Sequence, residues 1–404
     1  MNIEIHNDNG TVTKHNINKK SFTNPNLKNH IGYISSQSKE NSALNIIEAY
    51  YSDAKAILFD ETNKIISKKL DDLNIKAFGH KETNHNIFDK EDFSLMFFTS
   101  GSTGVSVGAL KTKANLEAEV YEITNILKSY NIKKVILTVP FIHYYGTAVG
   151  LLFSLLNDID IVLKEHFLPN DLLDLIDDNT LIITTPLYIK ALNKLQMEKD
   201  LKTSIFISST APLDLENIKL FNKKFNTNVI QLFGSTETGG IAYKYDDETL
   251  WTPFETAEIT VNEAQELKVK SPIVSDILYA DELKSINGEL QTFDYIEWEN
   301  DKFRLVGRSS QILKIAGKRY STIQIEEILE NLEGIEKAMV FVNSDKDSLR
   351  GEFLDITIES KKTFTSKEIK QILKANLSNL KFSINLKIVD KIPTSSVGKK
   401  LKIN

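Results

Sequence analysis

Hydrophobic residues follow two alternating periods along the first half of the chain. Asn115–Tyr130 has apolar residues at i, i+4, i+7 and i+11, which is the spacing of one helix face. Short apolar runs such as Lys134–Val139 stand between segments of this kind, and turn residues bound them. The pattern predicts strands at 54–59, 93–98, 134–139, 159–163, 181–184, 204–207 and 228–233, and helices at 42–51, 115–130, 172–176, 187–195 and 215–225. Alternating strands and helices predict βαβ units and a mostly parallel sheet covered by helices.

The pattern changes near Glu258. Short, mostly antiparallel strands are predicted at 258–261, 266–269, 288–291, 295–298 and 303–306. After Gly307, helices at 322–332 and 366–377 alternate with strands at 338–342, 353–358 and 385–389. We therefore predict an α/β fold with a large N-terminal domain, residues 1–308, that contains parallel sheets and a small antiparallel region. A small, mobile α+β domain would follow at residues 309–404.

Composition narrows the classes of function. The 404 residues carry a formal net charge of −6 without a dominant basic block, which argues against a nucleic-acid partner. Cysteine is absent, so disulfides and thiolate metal sites are excluded, and the seven scattered histidines do not suggest a zinc site. The most apolar stretch, 146–156, is too short to span a bilayer, and the polar first residues do not resemble a signal peptide. These features favour a cytoplasmic enzyme.

A loop rich in hydroxyl residues and glycine follows the apolar run Phe93–Phe98. It contains Thr99, Ser100, Gly101, Ser102, Thr103, Gly104, Ser106 and Gly108. Glycine allows a close backbone approach, and the many hydroxyl and N–H donors suit polyphosphate oxygens. Clusters of this composition also form ordinary solvated turns, and the Gly-Lys-Ser/Thr of a P-loop is missing. The residues that surround the loop must decide between the two interpretations.

Ligands of open parallel sheets bind beyond the carboxyl ends of the strands. The glycine-rich loop, His143 and Gly234 each follow or end a predicted strand. We therefore expect these three places to converge.

Five segments, in order, resemble the adenylate-forming superfamily of acyl-CoA synthetases, aryl-CoA ligases and nonribosomal peptide adenylation domains. They are the glycine-rich loop, Pro140–Gly146, Gln231–Gly239, Thr292–Asp294 with Gly307–Arg319, and Ile392–Lys399. The resemblance covers about residues 90–404. It implies that the protein joins a carboxylic acid to ATP, releases pyrophosphate, and transfers the acyl group from acyl-AMP to a thiol.

The resemblance also implies the roles of individual residues. Thr99, Ser100, Gly101, Ser102, Thr103 and Gly104 would hold the β- and γ-phosphates, and Glu237 would bind Mg²⁺. Thr236 would contact the α-phosphate. Asp294 would accept hydrogen bonds from both ribose hydroxyls, and Arg308 would contact the ribose or the phosphate. The adenine would lie by Ser209, Thr210, Ala211, Phe233, Gly234 and Ser235. Taken alone, Glu237 and Arg308 are typical solvated side chains, and Phe233 is typical of a strand in a core.

Lys399 would be the catalytic lysine, bridging the substrate carboxylate and the α-phosphate. Lys400 is the alternative if the alignment shifts by one residue, and both also fit a basic C-terminal tail. A hinge at Ser310 would rotate the small domain between two arrangements, and Gly317 would let a pantetheine arm pass. His143 would border the substrate carboxylate, although a lone histidine is also typical of a buried structural role.

The sequence departs from the family pattern at three places. Val107 replaces the lysine of the usual Pro-Lys-Gly, and neither Lys111 nor Lys113 is identified as a substitute from sequence. Phe293 replaces the glycine of Thr-Gly-Asp. The region before the loop is short for the family, which predicts a more open pocket.

The resemblance also bears on the acid, because amino-acid-activating members of the family carry an aspartate where this chain has Phe141–Tyr144. No carboxylate is present there to hold an α-ammonium group, so the resemblance implies an aryl or acyl acid rather than an amino acid. The thiol would be coenzyme A or the phosphopantetheine of an acyl carrier protein. Two alternatives remain open: a ligase that transfers the acyl group of acyl-AMP to another acceptor, and a degenerate, non-catalytic nucleotide-binding protein.

Overall fold

The computed structural model describes residues 1–36, 38–80, 85–99, 106–308, 312–315, 318–344, 352–377, 383–394 and 400, with the backbone alone at 312–315, 318–320, 344 and 352. Its contacts divide the chain into two compact units. The first unit comprises Met1–Ile259 and Val269–Leu290, and the second comprises Thr260–Lys268 and Gln291–Asn404. The domain boundary predicted after Arg308 is the position of a hinge between two moving domains, which the division into compact units does not test, so it remains a prediction.

The described helices and strands have the following bounds. The helices are α1 Lys19–Phe22, α2 Lys39–Tyr51, α3 Lys64–Asp72, α4 Lys113–Leu127, α5 Phe153–Leu156, α6 Pro169–Leu175, α7 Pro186–Asn193, α8 Leu215–Phe225, α9 Thr322–Glu330 and α10 Ser366–Asn376, with a 3-10 turn at Pro25–Leu27 and a π-helix at Gly146–Leu152. The strands are β1 Asn2–His6, β2 Val12–Asn16, β3 Ile31–Ser35, β4 Lys55–Phe59, β5 Leu95–Phe98, β6 Gly108–Lys111, β7 Lys134–Leu137, β8 Asp160–Lys164, β9 Thr180–Thr184, β10 Ile205–Ser208, β11 Asn228–Ser235, β12 Gly239–Tyr245, β13 Thr252–Pro253, β14 Glu258–Val261, β15 Glu266–Lys270, β16 Ile277–Tyr279, β17 Leu283–Ser285, β18 Glu289–Glu299, β19 Lys302–Arg308, β20 Ile312–Ile315, β21 Lys318–Ser321, β22 Ile335–Ser344, β23 Glu352–Ser360 and β24 Ser383–Val389.

A nine-stranded sheet dominates the first unit, in the order β13-β12-β11-β10-β9-β7-β8-β1-β2. Its centre, from β11 to β1, is parallel, and antiparallel strands lie at both sides. The central strands are almost continuously apolar, as expected for a parallel sheet buried on both faces. The predicted parallel sheet is therefore confirmed.

A six-stranded sheet, in the order β17-β16-β6-β5-β4-β3, completes the first unit. Strands β3, β4 and β5 are parallel, whereas β5 and β6 form an antiparallel hairpin. The glycine-rich loop connects these two strands. It therefore belongs to a different sheet from His143 and Gly234, which sequence reasoning had not distinguished.

Polar side chains define where the helices begin. Thr112 and Asn115 form a reciprocal capping box at the start of α4, and the Asp214 carboxylate accepts the N–H of Asn217 at the start of α8. Caps of this kind stabilise a helix by about 1 kcal/mol. Helix α8 ends at Phe225, and the left-handed backbone of the following Asn226 (φ 47°) turns the chain into β11. The predicted bounds of α8 are confirmed.

The second unit has its own core. Strands β22 and β23 are antiparallel, β23 and β24 are parallel, and α9 and α10 contribute to the same apolar cluster. A four-stranded sheet has the order β14-β15-β18-β19, and β18 and β19 are antiparallel, as predicted for this region. Strand β18 runs continuously where two strands were predicted, with an irregularity between Tyr295 and Ile296. Over the described residues, every helix is too short or too polar to cross a bilayer.

Candidate nucleotide and acyl site

A tight turn at the end of β11 presents Thr236 and Glu237. The N–H of Ser235 donates to Oγ1 of Thr238 (2.9 Å), and the N–H of Thr238 donates to Oγ of Ser235 (3.2 Å). Thr238 is completely buried, whereas Thr236 and Glu237 are half-buried. The carbonyl of Glu237 accepts from Nζ of Lys111 (3.0 Å) and from the N–H of Ser275 (3.0 Å). The backbone of the turn is thus fixed on both sides, and the Glu237 side chain remains accessible.

Strands β11 and β12 approach each other very closely beside this turn. A Cβ added to Gly234 would lie 2.1 Å from the carbonyl oxygen of Gly239, and Gly239 itself has a φ of +66°. A side chain at Gly234 would therefore collide with the backbone of β12, and glycine also suits the left-handed conformation of Gly239. The predicted nucleotide-binding Gly234 therefore has a structural task, which is to let the Ser235–Thr238 turn close.

A second turn, Ser209–Ala211, follows the neighbouring parallel strand β10. Oγ of Ser209 donates to the carbonyl of Leu232 (2.9 Å), which joins this turn to β11. Thr210 has a φ of 82°, a strained value for a β-branched residue. Strain of this kind concentrates at ligand sites. The ring of Phe233 lies 5.6 Å from that of Trp251. The structure thus brings together the two segments that were predicted to flank adenine.

The described part of the glycine-rich loop is its base. The N–H of Thr99 donates to the carbonyl of Val107 (2.8 Å), and the N–H of Val107 donates to Oγ1 of Thr99 (3.3 Å). Thr99 therefore closes the loop as well as standing at the predicted phosphate site. Ser100, Gly101, Ser102, Thr103 and Gly104 lie outside the described residues.

The two lysines that follow the loop are engaged elsewhere. Lys111 is fully buried, and its Nζ donates to the carbonyls of Glu237 and Ile273 (2.8 Å to Ile273). Burial lowers the pKa of Lys111 to about 7, although the nearby Glu119 opposes this shift. Lys113 forms an ion pair with Asp53. Both lysines therefore already have partners within the protein.

His143 lies on a segment that two buried tyrosines fix. The hydroxyl of Tyr145 is within hydrogen-bonding distance of the carbonyls of Ile207 (2.8 Å) and Thr184 (3.1 Å), at the ends of β10 and β9. The hydroxyl of Tyr144 donates to Glu119 (3.0 Å). The buried π-helix Gly146–Leu152 follows, and π-helical turns are frequent at functional sites. His143 is thereby held beyond the carboxyl end of β7.

Burial lowers the pKa of His143 below its ordinary value of 6.5, while the negative charge of Asp60 opposes the shift. The imidazole is therefore neutral at pH 7. A neutral imidazole can donate one hydrogen bond and accept another without a buried positive charge.

In the second unit, the structure brings Asp294 and Arg308 together. They lie opposite each other on β18 and β19, with 3.5 Å between Nε of Arg308 and Oδ1 of Asp294. The Asp294 side chain is 16% exposed and that of Arg308 is 41% exposed. The predicted roles at Ser310, Gly317 and Lys399 fall outside the described residues.

Sequence reasoning missed Thr238, Tyr145 and Glu119, which hold the turns in place. Glu119 carried a readable signal, because it lies three residues after Leu116 and four before Ile123, on the apolar face of α4. A carboxylate on such a face must have buried partners. Thr238 and Tyr145 carried no comparable signal.

Comparisons with known proteins identify the family and the fold. The chain is 23% identical over 346 residues to 4-coumarate–CoA ligase-like 8 of Arabidopsis thaliana, an alignment covering 78% of this chain and 63% of that protein, less than two thirds of its length. The fold matches o-succinylbenzoate CoA synthetase of Bacillus subtilis in complex with the acyl-adenylate intermediate OSB-AMP, with a TM-score of 0.81, 16% identity and coverage of 98% of this chain and 93% of that chain. The same enzyme with ATP and magnesium gives a TM-score of 0.80, 17% identity and coverage of 98% and 94%. A sequence model described as AMP-binding enzyme matches residues 27–273, more than half of the chain. The chain belongs to the AMP-binding enzyme family.

Proposed function

We propose that the protein activates a carboxylic acid with ATP to form acyl-AMP and pyrophosphate, and then transfers the acyl group to a pantetheine thiol. One observation carries the proposal: the Ser209–Ala211 turn, the Ser235–Thr238 turn and His143 all lie beyond carboxyl ends of parallel strands in one sheet. This edge is where open α/β sheets bind ligands. The names of its relatives, a CoA ligase-like protein and a CoA synthetase bound to an acyl-adenylate, support the same chemistry.

Glu237 fits a magnesium ion that is shared with a nucleotide. Its side chain is accessible on a fixed turn, and the described residues contain no cluster of three or more acidic or histidine ligands. Mg²⁺ typically uses one or two carboxylates together with phosphate oxygens and water, so one glutamate suffices. The ion would offset phosphate charge. Thr99, Thr236 and the glycine-rich loop would supply uncharged donors to the phosphates.

Asp294 suits the ribose, because a carboxylate accepts hydrogen bonds from two neighbouring hydroxyls. Arg308 lies beside it and would contact the ribose or the α-phosphate. Phe233 and the strained Ser209–Ala211 turn would flank the adenine.

Lys399 is proposed as the catalytic lysine in preference to Lys400. Nζ of Lys400 lies 2.7 Å from Glu326 and 2.6 Å from Glu330, and it donates to the carbonyl of Ala338 (2.6 Å). Although burial lowers the pKa of Lys400, the two glutamates outweigh it and raise the pKa above its ordinary value. A lysine held in this way has no donor left for a substrate carboxylate. Lys399 would therefore neutralise charge as that carboxylate approaches the α-phosphate.

The proposed acid is aryl or acyl. Phe141–Tyr144 provides no carboxylate for an α-ammonium group, and His143 is neutral at pH 7. The neutral imidazole would border the substrate carboxylate without neutralising it, which leaves that task to Lys399. Coenzyme A and the phosphopantetheine of an acyl carrier protein present the same terminal thiol, and either would serve as the acceptor. Rotation of residues 309–404 about Ser310, with Gly317 at the thiol passage, would serve the second half-reaction.

One observation favours a second candidate, a non-catalytic nucleotide-binding protein. Val107 lacks the expected lysine, and Lys111 and Lys113 have other partners. The two candidates predict different results in an ATP–pyrophosphate exchange screen over aryl, fatty and amino acids. Acid-dependent exchange with an aryl or fatty acid supports the proposal, and ATP binding without exchange for every acid rejects it in favour of the second candidate.

The acceptor is tested on the acid that supports exchange. Thioester formation is measured with coenzyme A and with a phosphopantetheinylated carrier protein. Acyl-AMP that accumulates with neither thiol would instead indicate transfer to another acceptor. The Lys399→Ala variant is expected to lose exchange while it still forms thioester from supplied acyl-AMP, and Lys391→Ala, at an exposed lysine nearby, serves as its control. Equal loss of both half-reactions in Lys399→Ala would contradict the assigned role.

A further inference from the structure

A lysine and a glutamate are buried directly behind the Glu237 turn. Lys111 comes from β6, the strand that leaves the glycine-rich loop, and Glu119 comes from α4. Lys111 is 0% exposed and Glu119 is 2% exposed. Burial disfavours the charged form of both groups, since it lowers the pKa of Lys111 to about 7 and raises the pKa of Glu119. A buried pair of this kind adds little net stability. Stability alone therefore explains this pair poorly.

Lys111 binds the backbone on one side of the turn. Its Nζ donates to the carbonyls of Glu237 (3.0 Å) and Ile273 (2.8 Å), and it lies 4.7 Å from the centre of the Tyr144 ring. Because β6 continues directly from the glycine-rich loop, this contact links the base of that loop to the residue proposed to bind Mg²⁺.

Glu119 binds the backbone on the other side of the turn. Its Oε2 accepts the N–H of Gly240 (2.8 Å) and the hydroxyl of Tyr144 (3.0 Å). The fit is tight, since a Cβ on Gly239 would lie 2.6 Å from that oxygen. Tyr144 is the residue after His143, so the same carboxylate also reaches the segment proposed to border the acid.

We propose that Lys111 and Glu119 are positioning residues that clamp the Glu237 turn to the strand leaving the glycine-rich loop. The clamp sets where the Glu237 carboxylate lies relative to the phosphate-binding loop, and therefore how well Mg²⁺ and the nucleotide bind together. The inference rests on the proposed function for the identity of the ligands. The geometry of the clamp is independent of the proposed function. Lys111 donates to the carbonyl of Glu237, and Glu119 accepts the N–H of Gly240, three residues later.

The test compares full-length variants. Lys111→Met removes the donor at similar volume, and Lys113→Met, which removes a surface ion pair two residues away, is the matched control. Glu119→Leu removes the acceptor for Gly240, whereas Glu119→Gln retains an acceptor oxygen. Affinity for ATP is measured by titration calorimetry at several Mg²⁺ concentrations, and the Mg²⁺ dependence of pyrophosphate exchange is measured beside it.

We expect Lys111→Met and Glu119→Leu to raise the half-saturating Mg²⁺ concentration about tenfold or more, as loss of a partner that orients a metal ligand does. Glu119→Gln should restore most of the affinity, and Lys113→Met should match the parent protein. Unchanged Mg²⁺ dependence in a folded Lys111→Met variant, or an equal defect in Glu119→Gln and Glu119→Leu, would overturn the proposal. If Lys111→Met fails to fold, the comparison of the two Glu119 variants decides.

Failure of the clamp and failure of the proposed function give different results. A parent protein that binds Mg²⁺ and ATP but shows no exchange contradicts the proposed function, and calorimetry of the variants still tests the clamp. A parent protein that exchanges pyrophosphate, with variants whose Mg²⁺ dependence is unchanged, rejects the clamp alone. A parent protein that binds no ATP at any Mg²⁺ concentration rejects both.

Discussion

Replacing Lys400 by methionine separates an anchoring lysine from a catalytic one. Three acceptors surround Nζ of Lys400, namely Glu326 (2.7 Å), Glu330 (2.6 Å) and the carbonyl of Ala338 (2.6 Å). Methionine preserves much of the side-chain volume but leaves both carboxylates without this cation. The structure therefore predicts a clear loss of stability in the second unit.

The magnitude follows from burial. Removing one partner of a fully buried ion pair costs 3–5 kcal/mol, but the side chains here retain 16–27% exposure, so we expect about 3 kcal/mol. In a unit of this size that lowers the melting temperature by roughly 10 °C. Thermal unfolding followed by circular dichroism measures the loss, with Lys374→Met, at an exposed lysine of α10, as the control.

Pyrophosphate exchange, measured below the unfolding transition, completes the test. Lys400→Met should keep exchange within about tenfold of the parent protein, whereas Lys399→Ala should abolish it without loss of stability. Apolar replacement of Glu326 and Glu330 in the Lys400→Met background should recover part of the lost stability, because it removes the uncompensated charges. A Lys400→Met protein of unchanged stability and no exchange would refute the reasoning and make Lys400 the catalytic residue.

Three further predictions concern the first unit. Val107→Lys should lower the KM for ATP several-fold, because a charge-assisted contact to phosphate is gained, and steady-state kinetics that show an unchanged or raised KM would contradict this. Below the ordinary histidine pKa of 6.5, His143 binds a proton in the unfolded chain but not in the folded protein, where its pKa is lowered, so the free energy of unfolding should fall as the pH falls. Urea unfolding at pH 7 and pH 5 should show a smaller loss of stability for His143→Gln than for the parent protein. An equal loss in both proteins would refute the assignment. Thr238→Val should raise the KM for ATP by disrupting the turn, at a stability cost of about 1–3 kcal/mol for its buried partners, and a kinetically normal variant would show that the turn closes without that hydroxyl.

Regular, locally encoded features of the fold could be predicted from sequence. Helix α8 was predicted at its observed bounds because its apolar residues repeat at helical spacing, and the structure adds that Asp214 caps its first turn. Strand β18 was predicted in two pieces, because the exposed Phe293 interrupts its alternation. The π-helix Gly146–Leu152 was missed because an almost wholly apolar run has no periodicity to read.

Some residues of the candidate site could likewise be predicted from sequence, and others could not. Thr236, Glu237 and Asp294 could be named from sequence because their segments resemble the family, and the structure shows the first two on a fixed turn. The burial of Lys111 could not be predicted, since it depends on two carbonyls more than 120 residues away in sequence. Local patterns indicate which residues a site uses, but not which distant backbone atoms hold them.

The position of β1 in the nine-stranded sheet has a consequence for how the chain folds. Strand β1 pairs in parallel with β8, and Asn2 bonds to Asp160, 158 residues later. Closing a loop of that length costs at least about 4.5 kcal/mol in chain entropy. Strand β1 can therefore take its place in the sheet only once β8, which lies far later in the chain, is available to pair with it. Slow, non-local pairing of this kind lengthens the time during which strand edges are exposed. We expect protection of the β1 amides to appear late in pulsed hydrogen exchange during refolding.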